Sequence, residues 1–225
     1  MQKKNYFDEL RFIRQIRYQK LGVNGQQKLS QAHVGIVGCG ALGSATAVAL
    51  TRAGVGNLTI IDRDVPEWSN LPRQILYTEK DVHDGLPKVI IAERRLKEID
   101  SSLHVTPHVA DLTAHNIPDL LSAVDIIVDG TDNFETRFLM NDFSCHEDIP
   151  WIYGGVIGAE GRVMTVIPGE TACLRCLMPD LPTPGSLPTC NTAGVLGAAV
   201  MVVAGIQTAE TIKVITDPAG DTEST

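Results

Sequence analysis

Basic charge is in short supply: lysine and arginine total 19 against 27 aspartates and glutamates, so the 225 residues carry a formal net charge of −8. Such a balance excludes the broad cationic surface that non-specific binding to nucleic acid or anionic membrane requires. It leaves room for a local basic cluster that grips a phosphate chain. Cysteine is scarce too. Five, an odd number, are too few for a secreted disulfide framework. No apolar run reaches the roughly 20 residues of a membrane span; the most apolar stretch, Ala193–Ile206, is interrupted by glycines and reads as a buried helix. The opening, Met1–Phe12, mixes charge without an apolar core and does not read as a signal peptide. Internal repeats and low-complexity tracts are absent. What remains is the expectation of a soluble, cytoplasmic α/β protein with reduced thiols, its polar end 216–225 a loose tail.

The length suits one large domain, or one domain with an appended lobe. An amphipathic stretch, Tyr6–Leu29, precedes a strong strand at His33–Val37. A small-residue helix to Ala53 and a second strand, Leu58–Asp62, follow. Residues 64–84 read as irregular. Lys88–Ile99 is expected to be helical, because Val89, Ala92, Leu96 and Ile99 recur at helical spacing. Further strands are expected at Val105–Ala110, Asp125–Asp129, Trp151–Gly154 and Gly161–Ile167. Helices are expected at Asn116–Ala123, Glu135–Glu147 and Ala193–Ile215, with a main loop at Pro168–Thr189. Strands alternating with helices predict a doubly wound, Rossmann-like, mostly parallel sheet with an N-terminal helical segment and a C-terminal sheet and helix portion.

Gly38-Cys39-Gly40-Ala41-Leu42-Gly43 follows a strand and opens a helix. Glycines there permit a tight turn and let backbone amides approach a phosphate at the positive helix end. Asp62 closes the next strand, where an acid can bind ribose hydroxyls. A dinucleotide is held largely by the helix end, whereas a triphosphate needs lysine, arginine and a metal ion. Ser69-Asn70-Leu71-Pro72-Arg73-Gln74 and Lys88 supply such groups, and Asp129-Gly130-Thr131-Asp132-Asn133 follows a buried strand at the ligand-binding edge. Asp132 offers magnesium the oxygen that this ion prefers. Each residue has a plainer alternative: a packing turn for the glycines, a solvated Lys88, a surface ion pair for Arg73, a helix cap for Asp132. Their joint placement favours ATP over NAD, and an NAD-dependent oxidoreductase stands as the rival that leaves Arg73, Lys88 and Asp132 idle.

With Arg11-Phe12-Ile13-Arg14-Gln15, Asp62-Arg63-Asp64, Pro87-Lys88, Cys173-Leu174-Arg175-Cys176 and Thr189–Val195 added, the chain resembles the ThiF/MoeB/HesA family, relatives of ubiquitin-activating enzymes. The resemblance runs in matching order from Arg11 to about Ile215. It implies a single adenylation domain over 1–215: a dimerisation segment at 1–30, a nucleotide-binding part at 33–150 and a carrier-binding part at 151–215. It further implies an adenylyltransferase that uses Mg-ATP to activate the C-terminal glycine of a ubiquitin-like sulfur carrier ending in Gly-Gly, for thiamine or molybdopterin synthesis. A relative adenylating a tRNA base or a peptide, and a non-catalytic nucleotide-binding scaffold, are further rivals.

By the resemblance, Gly38, Gly40, Ala41, Gly43, Asp62, Asp64, Ser69, Asn70 and Asn133 bind ATP. Arg73, Lys88 and Asp132 serve both binding and catalysis, with magnesium on Asp132. Arg14 reaches the neighbouring subunit's ATP, making a homodimer part of catalysis. Cys190 aligns with a cysteine that captures the activated carrier in some members, and its place just before an expected helix at Ala193 suits a lowered pKa. Cys173 and Cys176 form half of a zinc site that wants four ligands. No cysteine or histidine follows Cys190, and Cys39 and Cys145 are expected elsewhere, so the site is incomplete in this chain.

Overall fold

A computed structural model describes residues 10–183, 185 and 190–216, without the side chains of residues 190 and 191. The polar tail and the Cys190 thiol lie outside the described residues. The chain runs α1 (10–16), α2 (Gly22–Gln31), β1 (His33–Val37), α3 (Ala41–Ala53), β2 (Asn57–Ile61), α4 (Glu79–Asp84), α5 (Lys88–Ile99), β3 (His104–His108), α6 (Ile117–Leu121), β4 (Ile126–Asp129), α7 (Phe134–Glu147), β5 (Trp151–Ile157), β6 (Glu160–Val166), α8 (Leu174–Leu177), α9 (Cys190–Ala193) and α10 (Gly197–Thr216).

The six strands form one sheet in the order β3-β2-β1-β4-β5-β6. All neighbours are parallel except β5 and β6, which form an antiparallel hairpin. This is the doubly wound order, reversing direction at β1 and β4. Strands covered on both faces read as continuous apolar runs, and β4 alternates between two cores. Ile126 and Val128 join Leu29, Leu50, Leu58 and Leu96 on one side; Ile127 joins Leu121, Phe138, Phe143 and Trp151 on the other.

Several boundaries differ from expectation for identifiable reasons. The amphipathic N-terminal stretch is two helices, because Gly22 takes a left-handed φ of +60° and turns the chain. Residues 64–84 are less irregular than their composition suggests: a 3-10 turn covers Trp68–Asn70, and Thr78 and Asp81 form a capping box on α4. The last long helix starts at Gly197 rather than Ala193. Gly194 is left-handed, and Val195 bridges to Gly158 before α10 begins. At 20 residues α10 is long and apolar enough to cross a membrane by length and composition. It packs on α3, β5, β6 and α2, burying Val200, Val203, Ala204, Gln207 and Thr211.

The turn between β1 and α3 leaves no room for a side chain at Gly38 or Gly43. A Cβ on Gly43 would lie 1.8 Å from the carbonyl oxygen of Gly38. We therefore expect Gly43→Ala to cost about 2–3 kcal/mol, a fall in Tm of roughly 6–10 °C for a chain of this size. Scanning calorimetry checks this; an unchanged Tm would show that the turn spreads freely.

Candidate active site

The strand register brings three chain segments to one edge. Val37 pairs with Ile61 on one side and with Asp129 on the other. The residues that follow each, Gly38, Asp62 and Gly130, therefore leave the sheet side by side, at the carboxyl ends where open α/β sheets bind ligands. Gly38 and Gly130 are in close contact: a Cβ on Gly38 would meet the Gly130 carbonyl oxygen at 2.6 Å. Gly38 itself has a φ of +87°, which a side chain would strain.

Asp62 braces the turn. Its Oδ2 accepts a hydrogen bond from the Cys39 amide at 2.7 Å and its Oδ1 one from the Asp64 amide at 2.8 Å. Burial pushes its carboxyl above the ordinary value, against these amide donors and the charge of Lys88. Cys39 faces inward, with its thiol pushed up to about 12 by burial. The Tyr77 hydroxyl donates to the Cys39 carbonyl at 2.7 Å. Cys39 is thus a packing residue beneath the turn rather than a nucleophile.

Next to this turn lies a cleft of about 380 Å³ lined by Arg63, Asp64, Val65, Glu67, Asn70 and Lys88. Lys88 is only 5% exposed, so the solvated alternative does not hold. Its ammonium donates to Asp64 Oδ2 at 3.0 Å, and its amide donates to the Asp64 carbonyl at 2.8 Å. Asn70 is buried and its Oδ1 accepts from the Glu67 amide. Arg73 donates to the Ser69 carbonyl at 2.6 Å, folding the guanidinium back over its own turn. Pro72 costs this turn nothing visible, since Arg73 and Gln74 both donate their amides to the Asn70 carbonyl.

The cap alternative for Asp132 is settled by its neighbour. Asn133 is the N-cap of α7, its Oδ1 accepting from the Thr136 amide at 2.8 Å. Asp132 is exposed beyond it. A solvent-open carboxylate suits magnesium, which keeps several waters and takes one or two protein oxygens. Asn133, expected at the nucleotide, has its side-chain oxygen committed to the helix.

Other expected residues lie apart. Arg14 is exposed on α1 and does not line the cleft; α1 is held by Phe12, whose ring lies against Gly54, and by Gln15, which donates to Gln26 and to the Ala53 carbonyl. The backbone of Cys190 opens the four-residue α9 and does not lead directly into the long helix. Cys173 and Cys176 have sulfurs 3.8 Å apart, close to the edge of a tetrahedron with metal–sulfur bonds of about 2.3 Å. The pair fits half of such a site. Among the described residues no three histidine, cysteine or acidic side chains are arranged to hold a metal. Cys145 is nearer than its separate helix suggested, its thiol interacting with that of Cys173. The Cys-x-x-Cys turn is docked on α7 by Asn141, which accepts from the Leu174 amide at 2.8 Å, and by the Arg175–Asp142 ion pair.

Two partners of the strand-end acid Asp129 escaped the sequence reading. Asp129 is fully buried and pairs with Arg137, whose Nε donates to Asp129 Oδ2 at 2.9 Å. Gln207, on α10, donates to the Asp129 carbonyl at 2.8 Å. The signal for Asp129 was present: as the last residue of a wholly buried strand, it had to find a partner. Nothing local in the sequence marks Arg137 or Gln207 as that strand's neighbours.

A Rossmann-like sheet with a glycine turn, two acidic strand ends and a buried lysine defines a nucleotide-binding α/β protein. The comparisons narrow the class. The ThiF family model matches residues 12–225, and the chain belongs to the ThiF family. It is 49% identical over 206 residues to a sulfur carrier protein ThiS adenylyltransferase of Bacillus subtilis, covering 92% of this chain and 61% of that protein. It is 41% identical to an adenylyltransferase and sulfurtransferase MOCS3 of Culex quinquefasciatus, covering 91% of this chain and 46% of that one. The chain therefore spans about half to three-fifths of these relatives' lengths. Among solved structures, Escherichia coli MccB with ATP superposes with a TM-score of 0.76 at 26% identity, over 86% of this chain and 58% of that one.

Proposed function

We propose that the chain activates the C-terminal glycine of a ubiquitin-like sulfur carrier by adenylation, for thiamine or molybdopterin synthesis. The observation that carries this reading is the buried Lys88, held by Asp64 beside the glycine turn. A cation placed there at the cost of desolvation suits a triphosphate better than the two charges of a dinucleotide. The names of the Bacillus and Culex relatives point to the same chemistry.

On this reading, Gly40, Ala41 and Gly43 present amides to phosphate, and Asp62 and Asp64 face the ribose and the cation cluster. Ser69, Asn70, Arg73 and Lys88 line the phosphates, Asn133 holding the loop beside them. Asp132 would hold magnesium, which would offset charge on the phosphates. The carrier's carboxylate oxygen attacks the α-phosphorus, and the bond from the α-phosphorus to the α,β-bridging oxygen breaks, that oxygen leaving with the β- and γ-phosphates as pyrophosphate. The chain's contribution is to position the tail and to offset charge developing on the leaving group. Cys190 belongs to a later transfer, and the Cys173–Cys176 turn to the architecture of the carrier-binding part, 151–215. The working unit is a homodimer in which Arg14 of one protomer serves its partner's ATP.

Carrier-dependent exchange of labelled pyrophosphate into ATP tests the reaction, and its absence with every Gly-Gly-ended carrier overturns the reading. The shared site makes a sharper prediction. Arg14→Ala and Asp132→Ala are each inactive, but a mixed dimer holds one site with neither lesion. Random mixing should restore about a quarter of wild-type exchange. No recovery from folded, exchanging dimers would put Arg14 outside the partner's site.

A further inference from the structure

The buried pair beneath the Gly130–Asn133 segment has a geometry that its stability alone does not explain. Arg137 is 7% exposed and Asp129 is fully buried. A buried ion pair adds little over a well-packed apolar filling, since both charges must leave water. Here the pair's side-chain bonds to the rest of the chain run to two residues, Thr131 and Gly154. Asp129 Oδ1 accepts from the Thr131 amide at 2.8 Å and from its hydroxyl at 2.7 Å. Arg137 Nη2 donates to the Thr131 carbonyl at 2.8 Å and to the Gly154 carbonyl at 3.1 Å, while Asp129 Oδ2 also accepts from the Gly154 amide.

The Thr131 carbonyl belongs to the peptide plane that carries the Asp132 nitrogen. Both planes flanking Thr131 are therefore clamped, one by Asp129 and the other by Arg137. The rings of Phe134 and Tyr153 lie 5.2 and 5.1 Å from the guanidinium carbon and leave it little freedom. On the other side the segment touches the Gly38 turn directly, with no side chain between them to absorb a shift.

We infer that Arg137 is a positioning residue: through Asp129 and Thr131 it fixes the carboxylate of Asp132 relative to the phosphate turn. The inference rests on the adenylation reading of the same site. It separates holding the nucleotide from holding the metal, because the groups lining the cleft lie on other elements and do not depend on this clamp. Lysine cannot substitute. It carries one point charge, whereas the arginine fork reaches Asp129 and two carbonyls at once.

The test is calorimetric binding of ATP with and without Mg2+ to wild type, Arg137→Lys and Thr131→Val, with Tm alongside. Outer partners of a metal ligand are typically worth 10–100-fold in metal affinity. In Arg137→Lys we expect the affinity advantage that Mg2+ confers on ATP to shrink at least about tenfold, with metal-free ATP bound as in wild type. Thr131→Val, which keeps the fork and removes one donor to Asp129, should shift the same ratio in the same direction by less. It decides the matter if Arg137→Lys does not fold. A lowered Tm with an unchanged Mg2+ advantage in the folded variants overturns the inference, because it would make the pair purely structural. A wild type that binds ATP equally well with and without Mg2+ overturns it together with the metal assignment, and is thereby distinguished from failure of the clamp alone.

Discussion

Asp132→Ala is expected to leave the fold intact and to lower carrier-dependent pyrophosphate exchange by about 10²–10³, the usual effect of removing one group that offsets transition-state charge. The stability expectation follows from exposure. Asp132 is open to solvent, and the cap on α7 that it was a candidate to provide is supplied by Asn133 instead. Removing its carboxylate breaks no hydrogen bond that the helix needs. The activity expectation follows from where the carboxylate stands, after β4 and beside the glycine turn, with no other acid from the Gly130–Asn133 segment to replace it. Circular dichroism should superpose on wild type while exchange collapses. Full activity would remove Asp132 from the metal. Asp132→Asn separates charge from shape: it keeps an oxygen but should recover little.

The second large effect is expected at Lys88. Lys88→Met keeps the buried stem and deletes the ammonium, which should lower exchange by about 10²–10³ while changing Tm by only a few degrees. The small stability change has a physical reason. Burying an ammonium costs several kcal/mol and its attraction to Asp64 roughly repays that, and Asp64 is 56% exposed and can return to water when its partner is lost. If the lysine were a fold residue, the order of the two effects would reverse. A large fall in Tm with exchange preserved would contradict the assignment of Lys88 to the phosphates.

The parts of the site that the sequence made legible are those whose meaning is local. The Gly38–Gly43 turn announces itself because glycines recur where a strand gives way to a helix, and the structure shows why Gly38 and Gly43 are small: one packs against Gly130 and the other against the turn itself. The Lys88–Ile99 helix has the expected bounds and buries Val89, Ala92 and Leu96 as its spacing predicts, with Ile91 buried in addition and Ile99 only partly so. Asp62 and Asp129 marked two strand ends. The doubly wound, mostly parallel character of the sheet followed from alternation; its strand order came from the structure.

What escaped depends on tertiary contact. Lys88 and Asp64 are partners across a loop that carries its own 3-10 turn and helix, and no window of sequence predicts that the lysine is buried. Arg137 stands on the helix that follows the strand it serves, eight residues from Asp129, where no periodicity marks it, and Gln207 reaches Asp129 from 78 residues further along the chain. The start of α10 was misplaced because residues 193–206 are uniformly apolar; only the left-handed Gly194 and the bridge from Val195 to Gly158 divide them. Apolar composition left both the boundary and the burial open: contrary to the expected buried helix, Leu196, Met201, Val202 and Ile206 are exposed, and within 193–206 only Val200, Val203 and Ala204 are buried against the sheet and α3. Cys145 was set aside because it stands on a different helix, yet Asn141, one turn earlier on that helix, binds the Cys-x-x-Cys turn and brings the thiols together.

In the proposed reaction the carrier's carboxylate attacks the α-phosphorus of ATP in the cleft beside Lys88. The most direct measurement follows phosphate label from ATP to a purified Gly-Gly-ended carrier, separated under native conditions after a single turnover. Label in the α-phosphate should travel with the carrier and label in the γ-phosphate should leave as pyrophosphate, with neither transferred to a carrier lacking its final glycine. Label from the γ-phosphate on the carrier, or no α-label on it from a chain that binds Mg-ATP, would contradict the account.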